Sequence, residues 1–218
     1  MPLQGFSGVG PMDNNVYVVY DQEARKALLV DPAMQSQPVW DFLEERGLAL
    51  EYIVNTHGHT DHIWNNAYFK GKAQDAKLLI HQGDAPMIEG LVQAGLRWGM
   101  KAEPSPAPDA FLTDGQTLQV GSISVQVMHT PGHTPGSSCL YTEGAVITGD
   151  TLFMNSIGRY DSPGGSLQQL LASIRAKLMT LPDATMVCPG HGPASDIGYE
   201  RESNPFLNEE MVKRMGLE

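Results

Sequence analysis

The six residues His57-Gly58-His59-Thr60-Asp61-His62 constrain this chain more than any other stretch. They follow directly on Glu51-Tyr52-Ile53-Val54, which reads as a buried strand, so the histidines sit at a strand end. On an extended loop His57 and His59 project to the same side, and Gly58 between them lets the backbone approach closely. A turn into a helix beginning near Asp61 then points Asp61 and His62 around the same centre from another direction. One segment can thus serve two metal ions. A single histidine on a polar loop would be read as ordinary surface; three imidazoles and a carboxylate in six residues reverse that reading.

Three more residues of ligand type recur downstream in similar settings. They are His133 in Thr130-Pro131-Gly132-His133-Thr134, Asp150 in Thr148-Gly149-Asp150-Thr151, and His191 in Pro189-Gly190-His191-Gly192. Each lies just past an expected strand and beside Gly or Pro, where a turn can hold the side chain rigidly. Five of the seven histidines are then used, leaving His81 and His129.

Periodicity supplies the frame. Residues 15–20 and 26–30 read as a hairpin, and residues 36–46 carry Val39, Trp40, Phe42 and Leu43 at helical spacing with Gly47 as a stop. Helices are expected over 63–69 and 85–94, a strand over 76–81, and a surface loop from 95 to 109, where Pro104, Pro106 and Pro108 prevent either element. Strands at 117–120, 123–128, 138–142 and 145–148 precede an amphipathic stretch over 166–179 and a last strand at 185–188. Two mixed β/α halves of this order suit two sheets packed face to face with helices outside, and a site in a cleft along one edge. The length, 218 residues, favours a single domain spanning 1–218. Trp98 and Met100 are expected to pack against the body of the protein, and Asp75 and Asp84 to be solvated surface.

Fourteen Lys and Arg against 25 Asp and Glu give a formal charge of −11, the wrong sign for gripping a phosphate backbone. Nucleic acid is therefore not expected as a partner. Neither is a membrane, since no apolar run approaches the ~18 residues of a span. No secretory signal is visible at the start, and Cys139 and Cys188 read as plain buried residues, so a cytoplasmic location and a small-molecule substrate are the expectations.

The pattern H-x-H-x-D-H followed by single His, Asp and His resembles the metallo-β-lactamase superfamily across essentially the whole chain. The resemblance implies an α/β fold, the four-layer αββα sandwich. It also implies two divalent metal ions, zinc first, with iron or manganese as alternatives. By that likeness His57, His59 and His133 bind the first ion, Asp61, His62 and His191 the second, and Asp150 bridges them; Asp61 is also counted as catalytic. Such a pair lowers the pKa of a shared water and provides a metal-bound hydroxide near neutrality.

Gly149-Asp150-Thr151-Leu152-Phe153 and Gly158-Arg159-Tyr160-Asp161 are similar to the glyoxalase II branch, the hydroxyacylglutathione hydrolases. Gly190-His191-Gly192-Pro193, Tyr199-Glu200-Arg201 and Asn204-Pro205-Phe206 are similar to its short bacterial members; 27 residues follow His191, where full-length glyoxalase II has a further helical region. This likeness implies cleavage of a thioester or related acyl bond, with Arg159 and Tyr160 as substrate-binding residues. A persulfide dioxygenase, with one iron on His57, His133 and Asp150, keeps the same residues and stays open as an alternative. So do a lactonase and an enzyme with promiscuous β-lactam activity, although Asp150 argues against a true β-lactamase.

Overall fold

Strand alternation decides the layering. The computed structural model describes residues 3–214. Its first sheet comprises β1 (Leu3–Val9), β2 (Asn14–Asp21), β3 (Lys26–Val30), β4 (Ala49–Val54), β5 (Lys77–His81) and β6 (Ala110–Leu112), in that order. In β2, Tyr17 and Val19 face one way and Val16 and Val18 the other, and both sets are buried. Strands buried on both faces must be covered twice. The second sheet supplies one cover. It comprises β7 (Thr117–Val120), β8 (Ile123–His129), β9 (Ser138–Thr142) and β10 (Ala145–Gly149). After the short hairpin β11 (Leu152–Phe153) and β12 (Ser156–Ile157), it is completed by β13 (Met186–Pro189) and β14 (Ser195–Asp196).

Val19, Leu28, Val54 and Leu79 meet Leu118, Val127, Leu140 and Ile147 between the two sheets. Outside the first sheet, α1 (Gln37–Glu45) places Val39 and Leu43 against Val18, Leu29 and Ile53. Its start has Pro38 in the first turn, and its end falls at Gly47, whose φ of 62° suits a residue without Cβ. Outside the second sheet, α6 (Leu167–Ser173) runs into a wide turn, Ile174–Leu178, and packs Leu170, Leu171 and Ile174 on Cys139, Val146 and Val187. Four layers result, helix, sheet, sheet, helix, as expected.

Several elements differ from the periodicity reading. The expected helix over 63–69 is two pieces, α2 (Thr60–Ile63) and α3 (Asn66–Lys72), because Asn65 N–H turns aside to the Pro32 carbonyl. The next is also two, α4 (Ala85–Glu89) and α5 (Leu91–Arg97), meeting at Gly90. A last pair, α7 (Ile197–Ser203) and α8 (Glu209–Arg214), ends the described chain. Strands β1, β6, β11, β12 and β14 carried no usable apolar alternation; β1, for example, is a half-exposed edge with two glycines and a serine. Cys139 and Cys188 are free and buried, and burial pushes their thiols up to about 11 and about 12. No described helix is long and apolar enough to cross a membrane.

Candidate metal centre

Four strand ends meet at one edge of the sandwich. The exit of β4 delivers His57 and His59, α2 carries Asp61 and His62, and the turns after β8, β10 and β13 deliver His133, Asp150 and His191. All seven residues singled out in the sequence converge. His57, His59 and His133 bring one ligand atom each to within 4.8 Å of the others, and so do Asp61, His62 and His191. Asp150 faces both groups: its Oδ1 lies 3.5 Å from His62 Nε2, and its Oδ2 lies 3.7 Å from both His133 Nε2 and His191 Nε2. The closeness depends on Gly190, where a Cβ would overlap Asp150 Oδ1 and lie 2.7 Å from His62 Cε1.

A surrounding set of acceptors fixes the imidazoles. His133 Nδ1 donates to the Arg159 carbonyl (2.7 Å), His191 Nδ1 to the Met12 carbonyl (3.0 Å), and His62 Nδ1 to Asp31 Oδ2 (3.0 Å). Thr56 Oγ1 donates to Asp31 Oδ2 (2.6 Å) and so accepts from His57 Nδ1 (3.1 Å). With each Nδ1 donating in this way, Nε2 is the atom that His57, His62, His133 and His191 turn inward, the atom a metal ion would take once any proton on it is displaced. Asn14 Nδ2 donates to Asp61 Oδ2 (2.9 Å) and orients that carboxylate.

Asp31, Asn14 and Thr56 escaped the sequence reading. Asp84 was misread as solvated surface. It is fully buried, accepting from Gly58 N–H (2.9 Å), Thr134 Oγ1 (2.6 Å) and Gly136 N–H (2.6 Å), and so ties the His57–His59 loop to the His133 turn. Its burial is tolerable because both oxygens are hydrogen-bonded.

The electrostatics divide the site. Burial, then the neighbouring imidazoles of His62, His133 and His59, hold His57 well below the ordinary histidine range. Burial and His133 bring His59 down to about 4. Both are thus neutral and free to ligate near neutrality. Burial also opposes charge on His62, but Asp61, Asp150 and Asp31 override it and raise the imidazole well above its ordinary value. His191 is raised too: burial is overcome by its hydrogen bond to Asp61 and by Asp150. Asp61, despite burial, is driven below the carboxylate range by His62 and by hydrogen bonds from His191, His62 and Asn14. The second group is therefore a place where positive charge is favoured.

Two atoms test whether a cation fits. His57 Nε2 and Asp150 Oδ1 are buried without a hydrogen-bond partner. Native proteins rarely leave such atoms unpaired. In addition, His62 Nε2 and His191 Nε2 face each other at 3.1 Å, an arrangement that needs a proton or a cation between the lone pairs. The N and O donor set fits divalent metal ions.

The centre floors a cleft of about 490 Å³ whose walls include Met12, Trp98, Phe153 and Ile157. Trp98 is 47% exposed there, instead of packed against the body. Arg159 also lines the cleft, but its guanidinium is paired with Asp161 (Nε to Oδ1, 3.1 Å). Tyr160 is not among the lining residues; its ring packs on the outer cluster of the second sheet, with Leu170 and Ile174. A larger, shallow depression of about 1090 Å³ on the β7–β9 face, lined mainly by Thr, Ser and Gln side chains, holds none of these groups.

Fold and centre together define a two-sheet metalloprotein, and comparison with known proteins names its family. The Metallo-beta-lactamase superfamily pattern matches residues 9–191, and the chain belongs to that family. The hydroxyacylglutathione hydrolase GloC of Haemophilus influenzae is 33% identical over 208 residues, 92% of this chain and 95% of that protein. Among solved structures, the BLEG-1 B3 metallo-beta-lactamase superposes with a TM-score of 0.86 at 33% identity, covering 94% of this chain and 99% of that one. TTHA1623, solved in a di-iron-bound form, superposes with a TM-score of 0.83 at 35% identity, covering 94% and 100%.

Proposed function

We propose that this protein is a dinuclear metal hydrolase that cleaves a thioester or a related acyl bond of a small molecule. The observation that carries the reading is the position of Asp150 between two three-residue ligand groups, with a buried oxygen that no protein donor satisfies. His57, His59 and His133 would hold one cation, Asp61, His62 and His191 a second, and Asp150 would serve both. Zinc suits these donors, and the di-iron neighbour makes iron the alternative. Two divalent cations, when bound, supply an acidified water and a Lewis acid for the acyl carbonyl.

The chain's own residues do the rest. Asp31, Thr56 and the carbonyls of Met12 and Arg159 keep the imidazole Nε2 atoms facing inward, so no reorganisation is required when substrate arrives. Asn14 holds Asp61 with its carboxylate turned to the second group. Met12, Trp98, Phe153 and Ile157 give the cleft above the centre apolar walls. A thiolate departs without a strong general acid, which suits a cleft whose imidazoles are committed to ligation.

The likeness to a hydroxyacylglutathione hydrolase supports a thioester; the likeness to a B3 metallo-beta-lactamase supports a β-lactam as the second reading. The single-iron alternative, a persulfide dioxygenase using His57, His133 and Asp150, keeps the same residues, and the likeness to ETHE1 from Myxococcus xanthus, with a TM-score of 0.82 at 26% identity, supports it as a further reading. Metal-loaded protein should release thiol from an acyl thioester faster than it opens a β-lactam. One iron per chain with sulfite formation from a persulfide would replace the hydrolase reading with the oxidative one.

A further inference from the structure

The cleft wall carries a second message, about the part of the substrate that does not react. Two large apolar side chains that line it, Met12 and Trp98, are 48% and 47% exposed. Phe153 stands edge-on to His191, with ring centroids 6.4 Å apart, and Ile157 closes the wall beside it at 6% exposure. Phe111 and Met186, also exposed, do not line this cleft. Apolar side chains left in water beside a reactive centre gain free energy only when something apolar covers them.

Charge points the same way. Arg159 is the one Lys or Arg side chain among the cleft-lining residues, and Asp161 already engages it through Nε and Nη2 at 3.1 and 3.5 Å. An anionic tail would therefore compete with Asp161 for that cation, whereas an uncharged apolar one would meet Trp98, Met12 and Phe153.

We infer that the substrate's group remote from the reacting carbonyl is apolar, an alkyl or aryl group of several carbons seated between Trp98, Met12 and Phe153. The inference rests on the acyl-hydrolase reading above for the location of the carbonyl. Its source can be the acyl side or the thiol side of the scissile bond, and the two are separable by experiment.

Two series of thioesters test it on the metal-loaded protein: one varies the acyl chain from acetyl to octanoyl on a fixed small thiol, the other varies the thiol from ethyl to octyl with acetyl fixed. In the series that places its chain on the wall, kcat/KM should rise by about two- to fourfold per methylene over the first several carbons. Trp98→Ala and Met12→Ala should flatten that slope, with losses that grow with chain length. A readout independent of turnover is indole emission on titration with octanoate and acetate. Octanoate should change it at lower concentration than acetate, and Trp98→Phe should remove most of the change. If thioesters are hydrolysed but both series are flat and octanoate leaves Trp98 emission untouched, the inference is overturned and the hydrolase reading survives. If no acyl bond is cleaved while octanoate still binds through Trp98, the hydrolase reading fails and the apolar wall stands.

Discussion

Asp31 Oδ2 sits 3.0 Å from His62 Nδ1 and also accepts the Thr56 hydroxyl at 2.6 Å, which in turn holds His57 Nδ1. One buried carboxylate thereby sets the ring orientation of a ligand in each metal group. Asp31 has a φ of 52° just past β3, an unusual conformation for a non-glycine residue. Asp31→Asn should weaken metal binding at both positions by about 10- to 100-fold, the usual effect of removing a ligand's supporting partner. Competition against a chelator of known affinity measures this. Loss at only one position would show that Thr56 holds His57 without help.

Asp84 is expected to act on one group only. It ties Gly58 N–H to Thr134 and Gly136, so it sets the spacing between the His57–His59 loop and the His133 turn and touches nothing near His191. Asp84→Asn should therefore lower affinity at the three-histidine position and spare the other. Asp84→Ala strands buried donors at a cost on the order of 1–3 kcal/mol each, which thermal unfolding should register as a lower Tm. Equal loss at both metal positions in Asp84→Asn would refute the selective role.

Arg159 does two separable things: its carbonyl accepts from His133, and its exposed guanidinium pairs with Asp161. Only the second depends on the side chain. Arg159→Ala should leave metal content unchanged and raise KM for anionic substrates by at most about fivefold, because an exposed ion pair is worth roughly 0–1 kcal/mol and competes for the same cation. Metal analysis and initial rates on charged and neutral thioesters check both halves.

Far from the centre, Asp21 joins the β2–β3 turn to the β7–β8 turn. Hydrogen bonds from Ala24 N–H, the Ser122 hydroxyl, Ser122 N–H and Glu23 N–H bring its carboxyl from an ordinary 3.8 down to about 2. A depressed folded-state pKa means the stabilisation is present above the unfolded value and is lost as pH falls through the folded one. Asp21→Asn should therefore lower Tm relative to the parent at pH 5 to 7, and the gap should close between pH 4 and 2. A gap independent of pH would point to packing rather than ionisation.

How far the sequence could be read follows from the kind of signal each part carries. The seven converging residues were legible because four sit within six positions and the others follow apolar runs beside Gly or Pro. The layers were legible because strands such as β2 and β3 must be apolar on both faces. Asp31, Asn14 and Asp84 were not, since a lone polar residue at the end of a strand or before a helix looks like any turn residue. Its value comes from partners 25 to 50 positions away, such as Thr56 for Asp31 and Thr134 for Asp84. Trp98 was misjudged for the reverse reason: an aromatic residue in a loop ordinarily packs, and only the fold reveals that this one borders the cleft.

Hydrolysis is expected to require two cations per chain. Metal-depleted protein should be titrated with Zn²⁺ or Fe²⁺ while thiol release from a thioester is followed. If Asp150 joins two working positions, activity should keep rising until two equivalents per chain are bound and then level off. A plateau at one equivalent, with the second ion bound later to no effect, would contradict it.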